Sequence, residues 1–395
     1  MRRSNFGSQS VLGELTIQFY ANKVRTLRLK TYRQTTTPAG LATIRRPRNT
    51  LSVWFNNLEW LIFEHKDETV MNWGLNVSQY LGPKLRMLRV EGSDQPQRPQ
   101  DARDKYLPTL LNNCPLLYSL DIWREIPDAT TAQLDQVVEG LPLRNLTTRG
   151  AAADALVDLS TLCILARKVG LTFLGTEAPI NSVMTQILLN VIPNPFKELT
   201  SGYLNMDAWS VRTLLPLLPV LKNLTLTVNT ASPIFSHLRF CNNLTLLQLN
   251  LPAGTWLDST CQQCLAHLAL KILAICDVNH QGLQPSLSNN DMSTFFSQMP
   301  LLEYLELKFQ IPGFTPFDGA VFLKSLAVSC PKLQSLRLYY GWLDFDLNPT
   351  SILHTQPDPA HFPELKLFYL SSIIHPLGFI PTVHVPPLNP AVDVM

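Results

Sequence analysis

Group-transfer or hydrolytic chemistry needs a nucleophile, a base and a polarising group within reach of one another. No local pattern of that kind stands out in this chain. The sequence holds no Gly-x-Gly-x-x-Gly, no phosphate loop, no His-Glu-x-x-His helix and no Gly-x-Ser-x-Gly elbow. Its eight histidines are dispersed. His267 falls in the helix-like stretch from Cys261 to Leu268 and reads as a packing residue. His280 and His375 fall in loops without a recognised metal-ligand motif. The expectation is therefore a protein with no catalytic residues, no cofactor and no metal. What the chain does offer is binding chemistry. Arg, Trp and Tyr are the side chains that most often anchor interfaces. They recur at matching positions as Arg89, Trp123 and Arg149, beside the carboxylates Glu91 and Asp121, and later as Arg337 and Tyr339. Trp123, with Arg89 and Arg149 on neighbouring segments, is the leading anchor candidate. The competing reading is an ordinary solvated face whose opposite charges pair across strands.

The matching positions come from a repeat. The phrase Pro331-Lys332-Leu333-Gln334-Ser335-Leu336-Arg337-Leu338 recurs in altered form along the chain as x-L-x-x-L-x-L. Its rungs include Val24-Leu27-Leu29, Leu58-Leu61-Phe63, Leu85-Leu88-Val90, Leu117-Leu120-Ile122 and Leu143-Leu146. Two irregular rungs, Leu171-Phe173 and Phe196-Leu199, lead to a clearer half that begins at Leu221-Leu224-Leu226 and runs to Leu365-Phe368-Leu370. Rungs lie about 23 to 34 residues apart, overlapping the period of leucine-rich repeats. In a short strand alternate side chains share a face, so x-L-x-L points two side chains into a core. The leucine three residues earlier enters from the preceding turn. Between rungs, Asp318 to Ser329 shows helical apolar spacing and stops at Cys330-Pro331, since proline cannot continue a helix. Tyr106 to Asn113 and Met292 to Gln298 behave alike, and Trp209 to Leu218 is shortened or kinked at Pro216. The spacing predicts an α/β fold: a ribonuclease-inhibitor-like leucine-rich-repeat horseshoe of about 12–13 irregular repeats. Its curved parallel sheet carries helices on the convex side, and the residues between the core leucines face the concave side.

Composition sets outer bounds. The chain has 395 residues, 46% hydrophobic and 16% charged, with a formal charge of +2. That balance disfavours disorder over most of the length. Basic residues are scattered, so no nucleic-acid stripe is expected; Arg45, Arg46 and Arg48 read as a solvated loop. Seven cysteines lack a disulfide framework, and Cys261-x-x-Cys264 has no second pair, so a reduced cytoplasmic or nuclear setting is expected. No stretch has the length and purity of a membrane span. The expected organisation is a lead-in helix or cap over 1–23, the repeat domain over 24–372, and a proline-rich segment over 373–395. That last segment is either a cap or a disordered tail. Polar or mixed insertions lie at Gly92 to Lys105, Asp277 to Asp291 and Gly341 to Phe362.

From Ile17 the chain reads Ile-Gln-Phe-Tyr-Ala-Asn-Lys-Val-Arg-Thr-Leu-Arg-Leu to Leu29. This resembles the lead-in to the repeats of fungal, basidiomycete-type F-box and leucine-rich repeat proteins. Asn113-Cys114-Pro115-Leu116-Leu117 and Ser329-Cys330-Pro331-Lys332-Leu333 are similar to that family's cysteine-containing repeats. The resemblance implies substrate recognition for a ubiquitin ligase, with an F-box holding a Skp-type adaptor. Such a module would precede Tyr20, where nineteen residues show no Leu-Pro pattern, so the adaptor contact maps onto no residue here. The expectation is a non-enzymatic module that binds an unknown protein partner, and the alternative is an F-box-independent interaction scaffold.

Overall fold

A computed structural model describes residues 23–31, 55–65, 80–91, 106–123, 129–150, 154–228, 235–252, 256–257, 259–277, 284–285, 296–308, 317–340, 343–344 and 362–372. Most of the three insertions, the lead-in over 1–22 and the segment over 373–395 lie outside the described residues, as does most of Met292 to Gln298. The fold class is α/β, a leucine-rich-repeat solenoid; among the described residues thirteen strands form one sheet in chain order. The chain divides into two compact units, Met1–Ala178 and Pro179–Met395.

The first unit holds β1 (Thr26–Thr31), β2 (Trp60–His65), β3 (Met87–Glu91), β4 (Ser119–Trp123), β5 (Asn145–Arg149) and most of β6 (Phe173–Ile180). Helices α1 (Tyr106–Asn113), α2 (Thr131–Gly140) and α3 (Leu159–Arg167) alternate with the later strands, and consecutive helices pack together. The second unit continues with α4 (Ser182–Val191), β7 (Ser201–Met206), α5 (Ala208–Leu214), β8 (Asn223–Val228), α6 (Phe235–Leu238) and β9 (Leu246–Leu251). Then come α7 (Ser259–Ala266), β11 (Ile272–Asp277), β13 (Tyr304–Lys308), α8 (Gly319–Ser329), β15 (Ser335–Tyr340) and β17 (Leu367–Ser372). Two-residue strands β10 (Trp256–Leu257) with β12 (Gln284–Pro285), and β14 (Phe317–Asp318) with β16 (Leu343–Asp344), make separate small ladders.

One turn is built again and again, and it explains why the leucine phrase specifies register. The amide of the leading leucine donates to the carbonyl three residues earlier: Leu58 to Phe55 at 3.0 Å, Leu117 to Cys114 at 3.0 Å, Leu244 to Cys241 at 2.9 Å. The next two amides then donate to a single carbonyl of the preceding rung. Arg86 and Met87 share the Glu59 oxygen at 2.8 and 3.0 Å, and Gln334 and Ser335 share that of Glu303 at 2.8 and 3.1 Å. This shared acceptor satisfies two donors at the strand entrance, where none would otherwise have an in-register partner. It places Leu61 beside Leu88, Leu88 beside Leu120 and Leu120 beside Leu146. All four are fully or almost fully buried, each contributing about 1.5–3 kcal/mol of transfer free energy.

Helix ends follow from local polar residues. Thr130 and Gln133 form a reciprocal capping box on α2. Asp158 caps α3, Asn181 caps α4 and Asp207 caps α5, each accepting from the amide three residues on. Pro216 ends α5 as expected: a 3-10 turn, Leu215–Leu217, takes over where the ring supplies no amide donor.

Two rungs differ from the sequence reading. Leu171-Phe173 was expected to fill the core, but the buried side chains there are Leu171, Leu174 and Thr176, while Phe173 is only partly buried. Phe173 opens the strand instead of filling it, and Leu174 takes the core position beside Leu146. For the next rung, Phe196 and Leu199 are buried in the turn, and the strand's inward residues are Gly202, Leu204 and Met206. The leucine pattern is broken at its last position by Thr176 in the first and at its middle position by Gly202 in the second, and each break hides the frame.

Candidate binding surface on the open sheet face

Strand alternation sends Leu88 and Val90 of β3 into the core and Arg89 to the opposite face. Strand pairing sets Arg89 against Asp121, and Trp123 of β4 against Glu91 of β3 and Arg149 of β5. The result is a stack. The guanidinium carbons of Arg89 and Arg149 each lie 4.4 Å from the Trp123 ring centroid, reaching it from the two neighbouring strands. The indole Nε1–H donates to Asp121 Oδ1 at 2.5 Å, and Asp121 Oδ2 lies 3.7 Å from Arg89 Nε. Cation–π contacts of this geometry contribute roughly 0.5–2 kcal/mol each, more where water is excluded. All four side chains are partly buried, so the stack is held against the sheet. Glu91 stands at the end of β3 and its side chain lies outside the described residues.

Toward β6 the face turns flat. Thr147 is paired with Gly175, and a Cβ on Gly175 would come 3.2 Å from Thr147 Cγ2 and 3.1 Å from the Phe173 ring. Behind this row, the second inward position of β5 and of β6, after Leu146 and Leu174, is a threonine, Thr148 and Thr176. Their hydroxyls bond to each other at 3.1 Å. Asp154 Oδ1 accepts from Thr148 at 3.2 Å, from Thr176 at 3.5 Å and from the Glu177 amide at 3.1 Å. Burial first of all pushes the Asp154 carboxyl above its ordinary range, with the Glu177 charge adding to it against the hydrogen bonds.

In the second unit the same face carries a neutral run. Asn250 Nδ2 donates to Thr227 at 3.1 Å, and Asn223 Nδ2 donates to Ser201 at 3.0 Å. Further on, Arg337 lies against Tyr304, 5.6 Å from its ring centroid, and is paired across the strands with Glu306. The Tyr304 hydroxyl donates to Glu306 Oε2. Both units thus contain one arrangement: an aromatic ring covered by arginine, its polar tip bonded to a carboxylate two residues away on the same strand. Tyr304 was missed in the sequence. The two-residue strand period places it on the same face as Glu306, and that was the signal available. Tyr339 lies on β15, and its side chain is outside the described residues.

The cysteines have a structural role. Cys114, Cys241 and Cys330 are buried where a helix or turn meets the next rung, and burial pushes their thiols up to about 12, 11 and 12. Cys330 Sγ lies 3.6 Å from the Met299 carbonyl and Cys241 Sγ 3.9 Å from that of Leu215. They stay protonated at neutral pH and are poor nucleophiles. Six cysteines among the described residues are free thiols. Among the described residues no group of three or more His, Cys, Asp or Glu could hold a metal ion. No described helix is long and apolar enough to cross a membrane.

No family model matches the chain. No curated protein matches it either. Solved structures do. One is the Toll–Spätzle complex of Drosophila, with 14% identity over 91% of this chain and 46% of the other, at a TM-score of 0.38. Another is a leucine-rich-repeat protein of Leptospira interrogans, with 13% identity over 90% of this chain and 98% of the other, at a TM-score of 0.27. The chain spans about half the length of the Toll-complex chain that it resembles.

Proposed function

We propose that the protein is a non-enzymatic binding module that recruits another protein through the open face of its sheet, with the Arg89–Trp123–Arg149 stack as its anchor. The stack is the observation that carries this reading. Two arginines and a tryptophan are held in one geometry before any partner arrives, which lowers the ordering cost of association. Anchors of these residue types dominate interface energetics. Their scattered basic neighbours and the charge of +2 favour a protein partner over a nucleic acid.

The setting we propose is substrate recognition for ubiquitin ligation in the cytoplasm or nucleus. It rests on the likeness of Ile17 to Leu29 and of the cysteine-containing rungs to F-box and leucine-rich repeat proteins, and on the free, buried thiols. Co-purification of the gene's full-length product with a Skp-type adaptor tests this setting, and no association would sink it.

A photo-crosslinking amino acid tests the surface itself. At Ile62, paired with Arg89 on the open face, it should capture the same partner in repeated preparations. At Glu139, exposed on α2, it should not. Capture from Glu139 and none from Ile62 would assign binding to the helix side.

A further inference from the structure

We infer that Trp60 is a second anchor on the open face, and that its ring and indole N–H take a proline-containing extended segment of the partner. This inference rests on the open face being the binding surface. Trp60 and Trp123 stand on that face as opposites. Trp123 has an arginine against its ring from each neighbouring strand, and its N–H donates to Asp121. Trp60 is 43% exposed. Among the described residues its ring meets no cation or second ring, and its N–H meets no acceptor.

The surroundings of Trp60 are apolar and uncharged. Strand alternation puts Trp60 and Ile62 on the face opposite the buried Leu61. Pairing sets Trp60 between Thr26 of β1 and Met87 of β3, and Met87 beside Ser119 of β4. This row across four strands carries no charged side chain. At the strand entrance Arg25 and Glu59 pair with each other at 2.9 Å. Ile62 and Met87 are partly buried, and they extend the Trp60 ring into a shelf. The only hydrogen-bond donor of those three side chains is the indole N–H.

Such a shelf suits a ligand that lies flat on it and offers a carbonyl. Helices and sheet strands use their carbonyls in internal hydrogen bonds. A polyproline II segment makes none, so its carbonyls stay free to accept from the indole. It is also extended before it binds, which lowers the ordering cost of docking on an aromatic surface. The spacing agrees. One polyproline turn is about 9 Å, and two strand spacings are about 9–10 Å. A segment crossing the strands with one proline on Trp60 therefore brings its next in-phase residue to Ser119, with Met87 between them.

The probe is a fluorescein-labelled peptide of repeating Pro-Ser-Pro, compared with its Ala-Ser-Ala counterpart, on the full chain. The Pro peptide should bind at least tenfold more tightly, by a margin that added salt leaves unchanged. W60F keeps an aromatic ring without a donor and should weaken the Pro peptide about fivefold. W60A should abolish its binding. Trp60 is exposed, so both variants should keep the melting midpoint of the wild type. Trp209→Phe, on the exposed side of α5, should leave the affinity unchanged. With nitrogen-15 in the indole rings, the N–H signal that W60F removes should move downfield as the Pro peptide is added. Equal binding of the two peptides overturns the inference, as does Pro-peptide binding that leaves the Trp60 signal in place. Tighter binding of a Glu-Gly peptide or of a preformed apolar helix at Trp60 overturns it too. Partner capture from Ile62 that persists while the Pro peptide fails removes the proline specificity and leaves the binding face standing.

Discussion

At the scale of residues, Trp123 joins two cation–π contacts and a hydrogen bond to Asp121. Its place among Arg89, Asp121 and Arg149 was legible in the sequence because rung alignment puts equivalent positions side by side. What alignment could not supply was the donor–acceptor link from indole to Asp121, which depends on rotamers. Nor did it supply Thr148, Thr176 and Asp154. Threonine at a core position reads as a broken repeat until the carboxylate that satisfies it is seen. Asp154 makes a pH-dependent contribution. Its folded-state affinity for a proton is raised above that of the unfolded chain, near 3.8, so its ionisation costs stability as pH rises from that value upward. Asp154→Asn retains an oxygen that can accept from both threonines and from Glu177. Thermal melts from pH 4 to pH 7 should show the substituted protein gaining on the wild type as pH rises. A constant difference across that range would mean the carboxyl is not perturbed.

At the scale of elements, the turn with its doubly used carbonyl fixes which strand residues face the core. Leu336 is fully buried on β15, while Arg337 next to it is not. Leu336→Ala should cost about 2–5 kcal/mol in denaturant unfolding. Arg337→Ala should cost well under about 1. Equal losses would mean a strand slipped by one residue. Helix limits read well from sequence wherever a proline or a capping residue marks them, as at Asn113, Ser329 and Pro216. They read poorly where a cap serves two helices. Asp207 accepts from the Ser210 amide and also from the Ser182 amide, both at 2.7 Å, so one carboxylate joins the starts of α4 and α5. Burial alone would raise its pKa, but these hydrogen bonds outweigh it and hold the carboxyl below 3.8. Its stabilisation is present above that value and is lost as pH falls below it. Asp207→Ala should cost about 1–2 kcal/mol at neutral pH, with the loss disappearing in acid.

At the scale of the whole molecule, each rung buries its leucines only against its neighbours, so local stability follows neighbour number. Within the first unit, amides of β3 and β4 should exchange with deuterium more slowly than those of β1. The fold class was fully legible from the leucine spacing, because burial and strand period leave few alternatives. The open face was legible only as an alternation of positions; its chemistry needed the stack. The central claim is that a protein partner docks on that stack. Hydrogen exchange on the complex with the partner captured from Ile62 tests it most directly. Added protection should fall on Met87–Glu91, Ser119–Trp123 and Asn145–Arg149 and vanish with Trp123→Ala. Protection confined to α1, α2 and α3, or unchanged by Trp123→Ala, would contradict it.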